Sequence, residues 1–402
     1  MVPIIPRAIV LACAALVPHG AKAQAPVLVR AENTLPIARA DETIALPWAA
    51  VLARVPGAAP ARVRVVEPAS GREVVSQVVD ADGDGTPDEL IFQATFGPGE
   101  VRSFAVQAVA PDPKPAARVH VMHDAHRDDV AWESDRIAWR IYGQGLWNAH
   151  EFQPLVSSGV DVWVKRVRDL VVDKWYARGH DDYHHDTGEG ADFYDVGPTL
   201  GAGGTAVWRG DSMYRAKNFR SYRILADGPV RALFELRYDP FDVQGVQVTE
   251  RRIISVDAGS NLSRAVSIFT APGMDTIPYV VGVNKRAGMI GAESRARPWA
   301  WLTGWGPVNR KDGGHGELGT AVLLPRDRVL DWKETGDHYF AVSHARSGQP
   351  VVHYIGAGWT GSGDFRDLRD WYGYLDTFAQ RLEHPLAVSW WRGSERLPDT
   401  AR

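Results

Sequence analysis

The stretch RSYRILADGPVRALFELRYDPFDVQGVQVTERRIISV, residues 220–256, decides the fold. Residues 220–225, 230–238 and 246–256 read as three long strands, and Asp227-Gly228-Pro229 turns the chain between the first two. Downstream, 262–269, 320–324, 339–343 and 351–355 continue the series; upstream, 137–142 and 160–164 belong to it, with a polar turn over 143–150. A run of antiparallel strands predicts a large β-sandwich, whose concave face suits an oligosaccharide. One helix is expected near the end, where Phe365, Leu368, Trp371, Tyr372, Leu375 and Phe378 recur at helical spacing behind Asp364 as cap. Pro385 stops it before a last strand through Trp391.

Ahead of this unit, residues 25–110 carry short alternating runs at 62–66, 72–79 and 101–109, the pattern of a small N-terminal β-sandwich. Pro111-Asp112-Pro113-Lys114-Pro115 reads as a stiff linker, so the second domain is expected over 116–402. Between two strands of the small sandwich lies DADGDGTPDE, residues 80–89. Asp80, Asp82, Asp84 and Asp88 around tight glycine turns are a candidate structural calcium site, because hard cations take several oxygens from a sharply turned backbone. A glutamate at the twelfth position of a calcium loop is missing, and an Asp/Gly hairpin turn without metal fits the residues equally well.

At the N-terminus, Arg7, an apolar run over 8–17 and Ala21-Lys22-Ala23 form a secretory signal over 1–23, which predicts a periplasmic or secreted protein. The single cysteine, Cys13, lies inside that signal behind Val10-Leu11-Ala12, a weak lipoprotein-like pattern; with cleavage after Ala23, the better-formed site, the mature chain is expected to hold no disulfide, thiolate metal site or cysteine nucleophile. Roughly 380 residues then remain, the size of two domains or one large one. A net charge of −4 with both signs interspersed argues against nucleic acid or an anionic membrane surface as partner, and no later run is long and apolar enough for a membrane span. Fifteen Trp and twelve Tyr suit either sugar-stacking surfaces or a β core.

The chemistry concentrates in residues 175–208, WYARGHDDYHHDTGEGADFYDVGPTLGAGGTAVW. So polar and glycine-rich a run cannot fold on apolar burial, and it reads as a long functional loop held by its flanks. His184 with Asp186, or His185 with Glu189, could ligate a metal, but no helical spacing fixes them. No G-x-S-x-G elbow occurs, which leaves Ser212 without a serine-hydrolase setting. Asp186, Glu189, Asp192 and Asp195 offer the carboxylate pair of a glycoside hydrolase. Elimination on a uronic acid needs a Tyr or His base at C5, a cation on the carboxylate and an acid at the C4 oxygen. Tyr183, His184, His185 and Tyr194, with Lys165, Arg166, Arg168 and Lys174 upstream, supply that inventory.

The pattern Tyr183-His184-x-Asp186-x-Gly188-Glu189-Gly190-x-Asp192-x-Tyr194-x-Val196-Gly197, then Leu200-Gly201-x-Gly203-Gly204, resembles a family of secreted bacterial proteins long catalogued as a domain of unknown function. That family is similar to the ulvan oligosaccharide dehydratases, and the resemblance implies a large sandwich of supersandwich, galactose-mutarotase-like form. Further matches run through Trp132-Glu133-Ser134, Trp147-Asn148, Asp161-Val162-Trp163-x-Lys165-Arg166 and Gly228-Pro229-Val230-Arg231, so the resemblance covers most of the chain. It implies loss of water from the non-reducing-end uronate of an oligosaccharide, giving a 4,5-unsaturated sugar without any cofactor for catalysis. On that reading His184 and Tyr194 form the acid/base pair and Arg166 binds the carboxylate, its planar fork matching that group, with Lys174 in reserve. Asp186 and Glu189 orient His184 or hold hydroxyls, while Trp147, Asn148 and His150 line the sugar site. His344, His353 and Tyr354, at strand ends late in the chain, are further candidates for the cleft. A lyase that cleaves a uronate linkage, a carboxylate-pair hydrolase and a non-catalytic carbohydrate-binding protein remain as alternatives.

Overall fold

A computed structural model describes residues 26–111, 116–148, 154–179, 182–308 and 315–398. The signal over 1–23 and most of the Pro111–Pro115 linker therefore lie outside the described residues. The fold is mostly β, a small N-terminal sandwich followed by a large antiparallel one, with a C-terminal helix. In the small sandwich a three-stranded sheet of Arg39–Pro47, Glu89–Phe96 and Ser76–Val79 faces a six-stranded sheet built around Val27–Glu32 and Val101–Gln107. Strand alternation points Val29, Ile44, Leu90, Phe92 and Phe104 into one core, where the rings of Phe92 and Phe104 meet edge to face at 4.9 Å.

The expected unit over 116–402 does not keep its last strand. Ala387–Arg392 pairs antiparallel with Val27–Glu32, Trp391 opposite Leu28, and sends Trp390 into the small core. The strand after the helix thus returns to the first sandwich.

The stretch quoted above forms Phe219–Ala226, Arg231–Tyr238 and Val246–Asp257, successive neighbours in a nine-stranded sheet. Phe234, Leu236, Ile254 and Val256 face the main core, where they meet Val281, Val322 and Trp359 from other strands and Trp139 and Val162 from a separate five-stranded sheet. Gln77 of the small sandwich accepts from the Val230 and Arg231 N–H groups at 2.9 and 2.8 Å and donates to the Arg231 carbonyl at 3.0 Å, tying the two units at this turn.

The helix spans Leu368–Glu383 and buries Trp371, Leu375 and Ala379 against Trp301, Trp305 and Ala321. Its cap is Asp367, whose side chain accepts from the Arg369 and Asp370 N–H groups. Asp364, the expected cap, lies before the helix and accepts from Arg136 and Arg168.

Candidate functional site

The separate five-stranded sheet of Val119–Asp124, Asp129–Ser134, Ile137–Tyr142, Asp161–Lys165 and Gly190–Ala191 carries the site. Alternation sends Val130, Trp132, Trp139, Ile141, Val162 and Val164 to the main core. The opposite face therefore shows Asp129, Glu133, Arg140, Tyr142, Asp161, Trp163 and Lys165, all buried. Charges on a sheet face survive burial only when paired, and here register does the pairing: Arg140 stands directly across from Asp161. Its guanidinium reaches Asp161 at 2.6 Å and Asp192 at 2.9 Å, donates to the Tyr183 hydroxyl at 3.0 Å, and lies 3.8 Å from Asp129. The Tyr142 hydroxyl donates to Asp161 at 2.9 Å.

The dense segment covers this face. Its aromatic residues supply the adhesion, with Trp163 stacked on Tyr183 at 4.7 Å and on Tyr176 at 5.0 Å. A second buried pair, Lys165 with Glu133 at 2.6 Å, clamps its start: the other Glu133 oxygen accepts from the Val171 and Val172 N–H groups at 2.7 and 2.8 Å, where helix Val172–Arg178 begins. At the far end Gly190 pairs with Lys165 at φ 105°, and a Cβ there would sit 2.0 Å from the Val164 carbonyl oxygen, so only glycine fits.

Between segment and sheet opens a cavity of about 190 Å³, lined among others by Arg127, Asp129, Arg140, His184, Asp192 and Tyr194. The His184 Nδ1 lies 3.1 Å from the Asp192 carbonyl oxygen and 3.4 Å from its carboxylate. Burial pushes Asp129 up to about 7 and raises Asp161, against the pull of Arg140 in both cases. The Asp129 Oδ2 accepts from Tyr176 at 3.1 Å, while its Oδ1 is buried with no hydrogen-bond partner among the described residues. Burial also lifts the Tyr183 and Tyr194 phenols, which stay protonated. The Tyr194 hydroxyl donates to Asn284 Oδ1 at 2.7 Å.

Of the residues expected at the site, His184 and Tyr194 share this cavity. Arg166 and Lys174 do not line it. Arg166 binds Asp186 at 2.8 Å, donates to the Gly361 carbonyl at 3.1 Å and lies over the Trp359 ring at 4.4 Å. Lys174 pairs with Glu189, which also takes Arg178 at 3.4 Å and the Trp175 indole at 3.3 Å. Asp186 further accepts from the Gly188 and Gly190 N–H groups at 2.8 and 3.0 Å. The reason is electrostatic: the loop's own carboxylates neutralise the nearby cations, so these four residues fasten the loop. Trp147 is half-buried under Lys217, 5.6 Å from its ring, and also outside the cavity lining. His150 and the Asn148 side chain lie outside the described residues.

His353 is fully buried, its pKa lowered to about 3 by desolvation, and Tyr354 lines a different cavity, between the two sandwiches; His344, half-buried on its strand, is likewise absent from the lining. At the Asp/Gly turn, Asp80, Asp82 and Asp88 place one oxygen each within 4.8 Å of one another, whereas Asp84 turns away to accept from the Thr86 N–H at 2.7 Å. Three of the four expected ligands thus converge.

Sequence reading missed Arg127, Asp129, Arg140, Tyr142 and Asp161 as site residues. For Asp129, Arg140 and Asp161 the signal was present, single charges on strands that otherwise read as core, as in Trp139-Arg140-Ile141 and Asp161-Val162-Trp163; Arg127, in the turn before Asp129, and Tyr142 carried no such signal.

Fold and site together define a two-sandwich β protein with a histidine, tyrosines and an arginine-bridged set of carboxylates in one covered cavity. The chain belongs to the family described as Domain of unknown function (DUF4861), whose profile covers residues 31–388. It is 29% identical over 378 residues to "Uncharacterized protein P7" of Formosa agariphila, an alignment spanning 90% of this chain and 93% of that relative. Among solved structures it is similar to an α-mannosidase from Enterococcus faecalis V583, with TM-score 0.46, 9% identity and 91% of this chain covered. A second similar structure is a glycosyl hydrolase family 38 protein from Enterococcus faecalis, at TM-score 0.44, 9% identity and 91% coverage. The chain spans 46% and 47% of the length of those two proteins.

Proposed function

We propose that the protein is a carbohydrate-active carbon–oxygen lyase that eliminates water from the non-reducing-end uronate of an oligosaccharide, like the ulvan oligosaccharide dehydratases its motif resembles. One observation carries the reading: His184, Tyr194 and the cations Arg127 and Arg140 meet at a single cavity of about 190 Å³. With the Asp192 carbonyl accepting at Nδ1, the neutral His184 ring keeps its proton there and its lone pair on Nε2, the form of a base. His184 takes the C5 proton, the C5–H pair becomes the C4–C5 double bond, and the C4–O bond breaks with its electrons on oxygen. Tyr194, held protonated by burial, gives that oxygen its proton, and water leaves. Arg127, in the cavity wall and paired with Asp124 at 3.2 Å, takes the carboxylate-binding role first assigned to Arg166, because unlike Arg166 it lines the cavity; there it makes the C5 proton acidic. The reaction is redox-neutral and is written without a cofactor. Export to the periplasm or beyond, and calcium on Asp80, Asp82 and Asp88, belong to the same proposal.

The test is absorbance of the unsaturated uronate, with mass spectrometry, while the protein is incubated with saturated uronate-ended oligosaccharides. We expect loss of one water without chain cleavage. His184→Ala and Tyr194→Phe should each lower the rate by about 10²–10⁴-fold with the fold retained; full activity in both would exclude the mechanism. Unsaturated product with cleavage would make the protein a lyase of the linkage. A second reading, hydrolysis, is favoured by one observation, the Asp129 carboxyl poised near neutrality in the same cavity. It predicts shorter saturated products and inactivity of Asp129→Asn.

A further inference from the structure

The large sandwich holds a buried cation that no carboxylate among the described residues neutralises. Arg286, 6% exposed, follows strand Thr276–Asn284 and lies beside the site. Other buried cations of this unit have carboxylates: Arg140 has Asp161 and Asp192, Lys165 has Glu133, and Arg252 has Glu250. Arg286 has none within ion-pair distance among the described residues. Its guanidinium donates to the Leu318 carbonyl at 3.0 Å and reaches Asn284 Oδ1 at 3.4 Å, while its Nε is buried without a partner. An ionised group left in this condition weakens the fold, so its retention calls for a negative charge supplied at another moment.

The group it faces is Tyr194. The guanidinium carbon lies 5.2 Å from the ring centroid, and both side chains share the Asn284 oxygen, which accepts from the phenol at 2.7 Å. Asp195, next in the chain, gives its carbonyl to the Asn284 amide at 3.1 Å, which fixes that side chain with its oxygen toward the pair. Tyr194 lines the cavity and Arg286 does not, so a substrate meets the phenol and the guanidinium stands behind it. Resting on the elimination reading, we propose that Arg286 is the positioning residue for Tyr194: it is kept unpaired to receive the phenolate formed when Tyr194 gives its proton to the departing C4 oxygen. The O–H bond of Tyr194 breaks, the proton joins the leaving hydroxide as water, and the negative charge left on the phenol is matched by Arg286. The C5 proton on His184 then passes back to the phenolate through solvent and restores the pair. No redox partner enters.

The experiment compares wild type, Arg286→Met, Arg286→Lys, Tyr194→Phe and the Arg286→Met/Tyr194→Phe double variant by thermal melting and by kcat and KM on a uronate-ended oligosaccharide. Arg286→Met should melt above wild type, since an unneutralised charge is replaced by an apolar chain, yet lose about 10²-fold or more in kcat with KM little changed. Arg286→Lys should recover part of that kcat, and the double variant should be no slower than Tyr194→Phe alone, because the two residues act as one unit. Arg286→Met melting well below wild type, retaining kcat, or multiplying the Tyr194→Phe defect would overturn the proposal. A wild type inert on every uronate overturns the elimination reading and the catalytic half of this one; the melting comparison still decides whether Arg286 is held unneutralised.

Discussion

Replacing Asp129 by Asn tests the electrostatics of the cavity with a change of almost no volume. Asp129 is fully buried on its strand, accepts from Tyr176 at 3.1 Å and lies 3.8 Å from Arg140, too far to offset the desolvation that pushes its carboxyl up to about 7 from 3.8. The folded carboxyl therefore holds a proton that the unfolded chain releases near the ordinary value. Its stabilisation is complete below about pH 4 and lost as pH rises through about 7. Across the two units from about pH 4.5 to 6.5, at 1.36 kcal/mol per unit, the loss from this group is about 3 kcal/mol. That window lies below the one for His120, which is raised to about 9 by its hydrogen bond to Asp227 and gives up its contribution between about pH 6.5 and 9. Asp161 is also raised by burial, so the readout is the difference between the two proteins. Urea unfolding at both pH values should show wild type losing about 3 kcal/mol more than Asp129→Asn over the window. Equal losses would refute the assignment of a neutral, buried acid. Complete inactivity of the variant on substrates that wild type shortens to saturated sugars would move the function to hydrolysis.

Lys165→Met strands the Glu133 charge under the start of helix Val172–Arg178 and should lower stability by about 3–5 kcal/mol in denaturant unfolding. Adding Glu133→Gln should recover most of that loss, and failure to recover would place the defect in packing of the lysine chain. Calcium at Asp80, Asp82 and Asp88 should raise the melting temperature, by about 2.7 kcal/mol in stability at a hundredfold excess over the dissociation constant. Chelator should reverse the rise and Asp82→Asn with Asp88→Asn should abolish it; a melting point indifferent to calcium would leave the turn metal-free.

The strands were legible because alternation is a local property, and the core-facing set Phe234, Leu236, Ile254 and Val256 can be marked on the sequence alone. Partners at long range were not. Nothing in Ala387–Arg392 specifies that its neighbour is Val27–Glu32 at the other end of the chain, because pairing there is chosen by the shared core through Trp390. The helix cap slipped by three residues for a similar reason: Asp364 and Asp367 offer the same side chain, but Arg136 and Arg168 take that of Asp364, while Asp367, at φ −158°, presents its own to the first turn. The site divides along the same line. Density of titratable groups pointed to the segment and the family resemblance to His184 and Tyr194 within it, yet the same density supplied Asp186 and Glu189 to quench Arg166 and Lys174, so cations near a polar loop in sequence are the ones its own carboxylates remove first. Arg140 was passed over because Trp139 and Ile141 made its strand look like core. Yet an ionised residue at the middle of an apolar strand has to meet its counter-charge across the ladder, and Asp129 and Asp161 stood at the matching face of the two neighbouring strands. A charge that interrupts a strand's apolar alternation thus locates a covered site more sharply than a polar loop does, since the loop can satisfy its groups with itself or with water and the strand can satisfy them only with the fold.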